Sequence, residues 1–347
     1  MTVNTRLSDL TTLRVGGEAR KALSPSTTIE LVEAALDTWS SREPWLLLGG
    51  GSNLVVADDG FDGTVIRVLT RGIDARADGN HVVLRVQAGE PWDDVVAYAV
   101  ANDLSGIEAL SGIPGSAGAA PVQNIGAYGQ ELSDVLETVD FLDEATGERV
   151  TLTASDLELA YRTSSLKRGR RGVVLSIDIR LDASGLSAPI AYDQLAMALA
   201  VDTGERMPLA EVRAAVLALR ASKGMVLDPN DPDSVSAGSF FTNPIVGENF
   251  ARALPDAAPR WILDLDAPES PVKLSAAWLI EHSGISRGFT LPGSRAAVSS
   301  KHTLAIINAG GASADEIAEL ARYIHLLVLN KFGVLLQPEP QMVGISL

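Results

Sequence analysis

The chain contains no cysteine. Disulfides, thiolate chemistry and cysteine metal sites are therefore excluded, which fits a cytoplasmic protein. Histidine is scarce, and His81, His282, His302 and His325 show no H-E-x-x-H or similar spacing, so no metal is expected. No apolar run approaches the ~20 residues of a membrane span. The start, Met1 to Arg6, leads into polar sequence, so neither a membrane segment nor a secretory signal is expected. Positive charge is in short supply. Lys and Arg number 28 against 44 Asp and Glu, for a formal charge of −16. That balance argues against nucleic acid as a partner. An anionic ligand would need positive charge gathered locally, so individual Arg and Lys residues merit tracking. Internal repeats and low-complexity tracts are also absent. With 347 residues, 46% of them hydrophobic, the chain can build two or three cored domains.

What the sequence has is glycine in meaningful places. Leu110 to Gly129 reads LSGIPGSAGAAPVQNIGAYG. Pro114 and Pro121 interrupt it and its glycines disfavour helix, yet it is too polar for a buried strand. Such a stretch can bring main-chain N–H groups close to a bulky anion. A flexible linker is the alternative, but Ile113, Val122, Ile125 and Tyr128 recur among the glycines. A second glycine stretch, Gly49-Gly50-Gly51-Ser52-Asn53, lies between the apolar runs Trp45 to Leu48 and Leu54 to Val56. It is neither a Rossmann fingerprint nor a P-loop. Two separated loops of this kind suggest a long ligand, such as a dinucleotide, held at two places.

Around these loops the patterning mixes helices, strands and hairpins, which predicts an α+β fold instead of a regular parallel α/β sheet. Thr27-x-x-Glu30 reads as a capping box for a helix with Ile29, Val32, Ala35 and Leu36 on its apolar face. Strands are expected at 45–48, 64–69, 81–88, 173–181, 304–308, 334–336 and 341–344, with a hairpin across Ala145-Thr146-Gly147. Helices are expected from Pro91, from Ser155 through Leu159, over 211–223, over 273–282, and from Ser313 to Phe332 with Gly333 as the stop. The looser stretch 182–207 suggests a domain boundary near residue 200. The carboxylates of 58–62 lack calcium-loop spacing and read as a turn.

Several segments, in order along almost the whole chain, together resemble the UDP-N-acetylenolpyruvoylglucosamine reductase family. They are Leu47 to Val55 (LLGGGSNLV), Ser111 to Gly129, Tyr161-Arg162-Thr163-Ser164, Gly238-Ser239-Phe240-Phe241-Thr242-Asn243-Pro244 and Pro338-Glu339. Thr11 to Gly17 (TTLRVGG) resembles the family's N-terminal segment, although a simple strand and turn would explain it equally well. The resemblance implies an FAD-binding PCMH-type (vanillyl-alcohol-oxidase-like) domain over 1–200, in two lobes of about 1–70 and 71–200, and a C-terminal α+β substrate domain over 201–347. It implies FAD as cofactor, NADPH as hydride donor, and reduction of UDP-N-acetylglucosamine enolpyruvate to UDP-N-acetylmuramate in peptidoglycan precursor synthesis. A monomer is expected in preference to an oligomer.

The same resemblance assigns FAD to Gly49, Gly50, Gly51, Ser52, Asn53, Leu54, Ser111, Gly112, Ile113, Pro114, Gly115, Ser116, Gly118, Gln123, Asn124, Ile125, Gly126, Ala127 and Tyr128. It assigns the nucleotide-sugar to Tyr192, Lys223, Asn243 and Lys273. Three residues are expected to carry the chemistry. Arg162, beside an aromatic in a short loop, can clamp a carboxylate in a bidentate pair. Ser239 is not in a hydrolase elbow and no histidine base is obvious, so a nucleophile reading is poor. A buried serine is the plain alternative, and the resemblance adds the role of proton donor to carbon. Glu339 is held stiffly between Pro338 and Pro340. Pro340 and Gln341 depart from the β-branched residue and Arg usual in the family, and Leu166 from its Phe. The competing functions are an FAD oxidase sharing only the flavin domain and a non-catalytic flavin- or nucleotide-binding module.

Overall fold

The computed structural model describes residues 5–263 and 270–347. These fall into two compact units. Of the described residues, the first comprises 5, 19–51 and 61–226; the second comprises 6–18, 52–60, 227–263 and 270–347. The stretch 182–207, including the position near 200 where a boundary was expected, lies wholly within the first unit.

The first unit holds two sheets. In one, Glu18–Leu23 and Trp45–Leu48 flank Phe61–Arg67, both pairings being parallel. In the other, five antiparallel strands run in the order Arg149–Thr153, Leu136–Asp143, Gly172–Asp182, His81–Gln87, Ile73–Asp78. The mixture of a parallel and an antiparallel sheet is the α+β architecture the patterning predicts. Helix Thr28–Ser40 starts at the expected capping box, with Thr27 accepting from the Glu30 N–H and Glu30 returning the bond. Its buried face differs from expectation: Leu31, Ala35 and Thr38 are inside, whereas Ile29 is 72% exposed. Both Ile29 and Leu31 are apolar, so composition alone left the phase of the helix open. Trp92–Ala101 follows Pro91 and buries Trp92, Val95, Val96 and Ala99 in the core of this unit. The short helix after the hairpin is Ala154–Leu157; its cap is Thr153, not Ser155, because the Asp156 carboxylate closes a capping box with Thr153. Leu209–Ser222 buries Val212 and Val216 against Asp193–Leu199, a helix that the looser patterning did not suggest.

The second unit has a three-stranded antiparallel sheet, Ser236–Ser239, Ala305–Asn308, Ala296–Val298. A second one runs Ile245–Gly247, Pro271–Leu274, Arg260–Ile262. Gln341–Val343 pairs in parallel with Leu54–Val56. Helix Ala314–Phe332 lies between Ser313 in a capping box and Gly333 in the left-handed region at φ 69°. Two expectations fail here. Lys273 is in a strand and the helix begins only at Ala276, because Ser275 and Asn243 cap it there. Val334 to Leu336 forms no strand, although Val334 and Leu336 are buried.

Candidate active site

The two glycine stretches come together within the first unit. A Cβ on Gly50 would stand 2.7 Å from the Gly115 Cα, and one on Gly49 would stand 2.5 Å from the Ser116 Oγ. The loops are therefore one interlocked structure and not two distant clasps. Among the described residues, the main-chain N–H groups of Gly49, Gly50, Gly51, Gly115 and Ser116 have no protein acceptor. Main-chain N–H groups left without protein acceptors, in loops with few side chains, suit a diphosphate. Other parts of the long stretch are committed to the scaffold. Gly118 N–H donates to the Ala88 carbonyl at 2.8 Å. Ser111 Oγ donates to the Glu108 carbonyl at 2.6 Å. The Asn124 side chain is spent on Glu131 and Ser133. Ile125 is buried in the core. For Gly118, Ser111, Asn124 and Ile125, support of the loop is what the structure displays.

Beneath Gly112 lies a set of charges that the glycine motif did not announce. Gly112 N–H donates to Asp93 Oδ1 at 2.6 Å, and Arg213 grips both oxygens of the same carboxylate at 2.6 and 2.8 Å. Burial pushes the Asp93 carboxyl up, but Arg213 and the Gly112 N–H outweigh it and hold the pKa below the ordinary aspartate value. A Cβ on Gly112 would stand 2.8 Å from Leu217 Cδ2, and Arg220 Nε lies 3.4 Å from the same position. Its Nη2 donates to the Met225 carbonyl at 2.9 Å, and its buried Nε has no hydrogen-bond partner among the described residues. The spacing Arg213, Arg220, Lys223 along the helix and its C-cap was the available signal.

Lys223, Tyr128 and Tyr192 cluster in this unit. The two rings meet edge to face at 5.6 Å, and Lys223 Nζ lies 5.4 Å from the Tyr128 ring centre. Lys223 also donates to Gln194 Oε1 at 2.7 Å. Burial, then the charge of Arg220, lowers its pKa. Arg162 is likewise organised by the glycine stretch. Its Nη2 donates to the Gly126 carbonyl at 2.6 Å and its Nη1 to the Asn124 carbonyl at 3.2 Å. Its backbone sits at φ 52°, uncommon for a residue with a side chain.

In the second unit the structure brings Ser239, Asn53 and Glu339 into one neighbourhood. Glu339 N–H donates to the carbonyl of Phe240, the residue after Ser239, at 2.9 Å. Asn53 Nδ2 donates to the Glu339 carbonyl at 3.2 Å, and Gln341 N–H donates to the Asn53 carbonyl at 3.0 Å. Pro340 and Gln341, the departures from the usual segment, thus still lead into a paired strand. Phe240 and Phe241 are fully buried behind Ser239. Asn243 Oδ1 accepts from the Ala276 N–H at 2.9 Å, so what that side chain offers a ligand is its Nδ2 donor. Lys273 sits between Ile245 and Trp261 in register, its Nζ 5.7 Å from the Trp261 ring. Among the described residues no group of three or more His, Asp or Glu could hold a metal ion, and no helix is long and apolar enough to cross a membrane.

An α+β frame bearing two interlocked glycine loops defines an FAD-binding domain of the PCMH type, and residues 20–153 match the family model described as FAD binding domain. Residues 230–343 match the model of the UDP-N-acetylenolpyruvoylglucosamine reductase C-terminal domain. The reductase of that name from Leifsonia xyli subsp. xyli is 56% identical, with all of both chains covered. That from Nocardia farcinica is 49% identical over 99% of this chain and 89% of its own. The crystal structure of the Thermus caldophilus reductase aligns with a TM-score of 0.67 at 26% identity, over 99% of each chain. The chain belongs to the UDP-N-acetylenolpyruvoylglucosamine reductase family and is an FAD-dependent oxidoreductase.

Proposed function

We propose that this chain reduces UDP-N-acetylglucosamine enolpyruvate to UDP-N-acetylmuramate, the step of peptidoglycan precursor synthesis that defines its family, with Arg162, Ser239 and Glu339 as the catalytic groups. The observation that supports the cofactor reading is the close packing of Gly49 and Gly50 on Ser116 and Gly115, where a Cβ on Gly50 would run into the Gly115 backbone. Held by the Gly49–Ser52 and Gly115–Ser116 loops, FAD would supply the two-electron redox chemistry that couples NADPH oxidation to reduction of the substrate's vinyl group.

Hydride addition leaves negative charge on the adjacent carbon, shared with its carboxylate. Arg162, with its guanidinium already oriented by two carbonyls, stabilises that charge, and Glu339 assists as a protonated carboxyl that donates a hydrogen bond. Ser239 gives its hydroxyl proton to the same carbon, which completes the lactyl group; solvent then restores the hydroxyl. An alkyl alcohol is a weak acid, but an enolate is basic enough to take its proton. Lys223 and Lys273 are assigned to the anionic nucleotide-sugar, with Tyr192 and Asn243 assisting. FAD binding is assigned to residues 1–200 in their two lobes and the substrate covering to 201–347. The working form is a cytoplasmic monomer without nucleic-acid or membrane partners.

The test is anaerobic. NADPH should bleach the flavin absorbance, and UDP-N-acetylglucosamine enolpyruvate should restore it. Bleaching without restoration would point to another acceptor. Reoxidation by oxygen with no response to the enolpyruvyl sugar would favour a flavin oxidase.

A further inference from the structure

Ser239 is carried on a strand that is not regular. Ser236 pairs with Ile307 and Ser239 with Ala305. Three steps on one strand therefore oppose two on the other, which places one extra residue at Ala237–Gly238. Such a bulge re-aims the side chain that follows it. Gly238 takes φ 77° there, with open space around its Cβ position, so conformation and not crowding calls for glycine.

Two side chains fix the bulge. The Gly238 N–H, out of the ladder, donates to the Ser236 Oγ at 3.2 Å. The Ser236 carbonyl accepts from the Thr12 hydroxyl at 2.6 Å, across 224 residues of sequence. Ser236 itself is 5% exposed, so an unpaired carbonyl there would be costly. Thr12 is held in turn, because Asn308 Nδ2 donates to the next two carbonyls, Leu13 at 3.2 Å and Arg14 at 3.3 Å. Asn308 also donates its own N–H to the Val235 carbonyl at 3.0 Å. Both sides of the Thr12–Ser236 bond are thus tied to one buried residue.

We infer that Thr12, acting through Ser236, is a positioning residue that aims the Ser239 hydroxyl for proton delivery. The inference rests on the proposed role of Ser239. Proton transfer demands a placement within about 1 Å, and such an error can cost ~10²-fold. Flavin reduction by NADPH makes no use of the Ser239 proton. The signature is therefore an asymmetry between the two half-reactions, which a general loss of structure would not give.

The experiment uses the FAD-loaded full chain. Thr12→Val keeps the shape and removes the donor. It should leave the flavin spectrum and the rate of reduction by NADPH unchanged. It should slow reoxidation by UDP-N-acetylglucosamine enolpyruvate by ~10- to ~10²-fold and enlarge the solvent deuterium isotope effect on that step. Thr12→Ser should restore both. Added to Ser239→Ala, Thr12→Val should cost nothing further, since the two act on one proton. Ser236→Ala, which frees the Gly238 N–H, should reproduce the asymmetry and serves if Thr12→Val folds poorly. Equal slowing of both half-reactions, wild-type reoxidation, or full additivity with Ser239→Ala would each overturn the inference. A slow Ser239→Ala beside a normal Thr12→Val sinks the positioning role alone, whereas a normal Ser239→Ala sinks the proton-donor role and this inference with it.

Discussion

The residues proposed for the cofactor and those proposed for proton delivery are held by opposite means in the two units. In the first, the ligand cradle is made by leaving side chains out: Gly50 lies against Gly115 so closely that no other residue fits. In the second, the strand bearing Ser239 is held by hydrogen bonds from residues distant in sequence, Thr12 to Ser236 and Asn308 to Val235. A glycine cradle tolerates almost no substitution, and its supports lie mostly within its own stretch and the neighbouring Asp93 and Arg213. A bulged strand has room to spare, yet depends on its clamps. The glycines of the two regions differ in the same sense, because Gly50 is required for space and Gly238 for its φ of 77°.

Alanine at each position separates these two requirements. Gly50→Ala should abolish FAD retention, because the atom in the way is backbone and cannot swing aside; flavin absorbance per protein after purification and reconstitution measures this. Gly238→Ala should keep FAD and destabilise the fold by only about 1–2 kcal/mol, the cost of a left-handed residue with a side chain, read by urea unfolding. Flavin retained at wild-type stoichiometry in Gly50→Ala would mean that the cradle is not where the cofactor is gripped.

The same contrast governs how much could be read from the chain alone. Glycine clusters are legible because their chemistry is local: both loops, the capping boxes at Thr27 and Ser313, and the 145–147 hairpin follow from adjacent residues. That the two loops interlock did not follow, since nothing in Gly49–Gly51 names Gly115 as its neighbour. Arg162, Ser239 and Glu339 stood out by resemblance, but their supports did not. Asn308 and Thr12 are ordinary residues whose partners are hundreds of positions distant. Asp93 was hidden as one of two consecutive carboxylates in the first turn of a helix. Lys273 was misread as helical because Ser275 and Asn243 form a cap only once the second unit has folded.

A second contrast sets Arg162 against Ser239. Arg162→Lys and Ser239→Ala should both spare reduction by NADPH and slow reoxidation by the enolpyruvyl sugar, Ser239→Ala by the ~10²–10⁴ expected of a general acid. They should part on substrate affinity. One ammonium cannot reproduce a planar fork, so Arg162→Lys should also weaken substrate binding, whereas Ser239→Ala should leave it near wild type. Stopped-flow reoxidation at varied substrate concentration separates rate from affinity. A near-normal Arg162→Lys would remove the clamp from the mechanism.

The smallest expected effect concerns acid. Each unit keeps one carboxylate below its ordinary pKa next to the functional backbone. Asp93 is held down by Arg213 and the Gly112 N–H, against the upward push of its burial. Asp233, which precedes the Ser239 strand, is also pushed up by burial but is held down by Ser299 and Ser300, whose hydroxyls bond it at 2.6 and 2.8 Å. A carboxylate whose folded pKa is depressed contributes stability that is fully present above its unfolded value and fades as pH falls through the folded one. The window therefore opens below the ordinary aspartate pKa of 3.8. Protonating Asp93 loosens Gly112 and hence the cradle, whereas protonating Asp233 loosens only the approach to Ser239. Flavin release on acidification should accordingly flatten in Asp93→Asn, which cannot titrate and starts with weaker retention, while Asp233→Asn keeps the wild-type release curve and reduces the acid dependence of unfolding in its own unit, where Glu316 is also held down. Release curves followed by flavin fluorescence decide between them. An unchanged curve in Asp93→Asn would show that the Arg213–Asp93–Gly112 chain is structural support with no grip on the cofactor, and the contrast between the two units would then rest on the glycines alone.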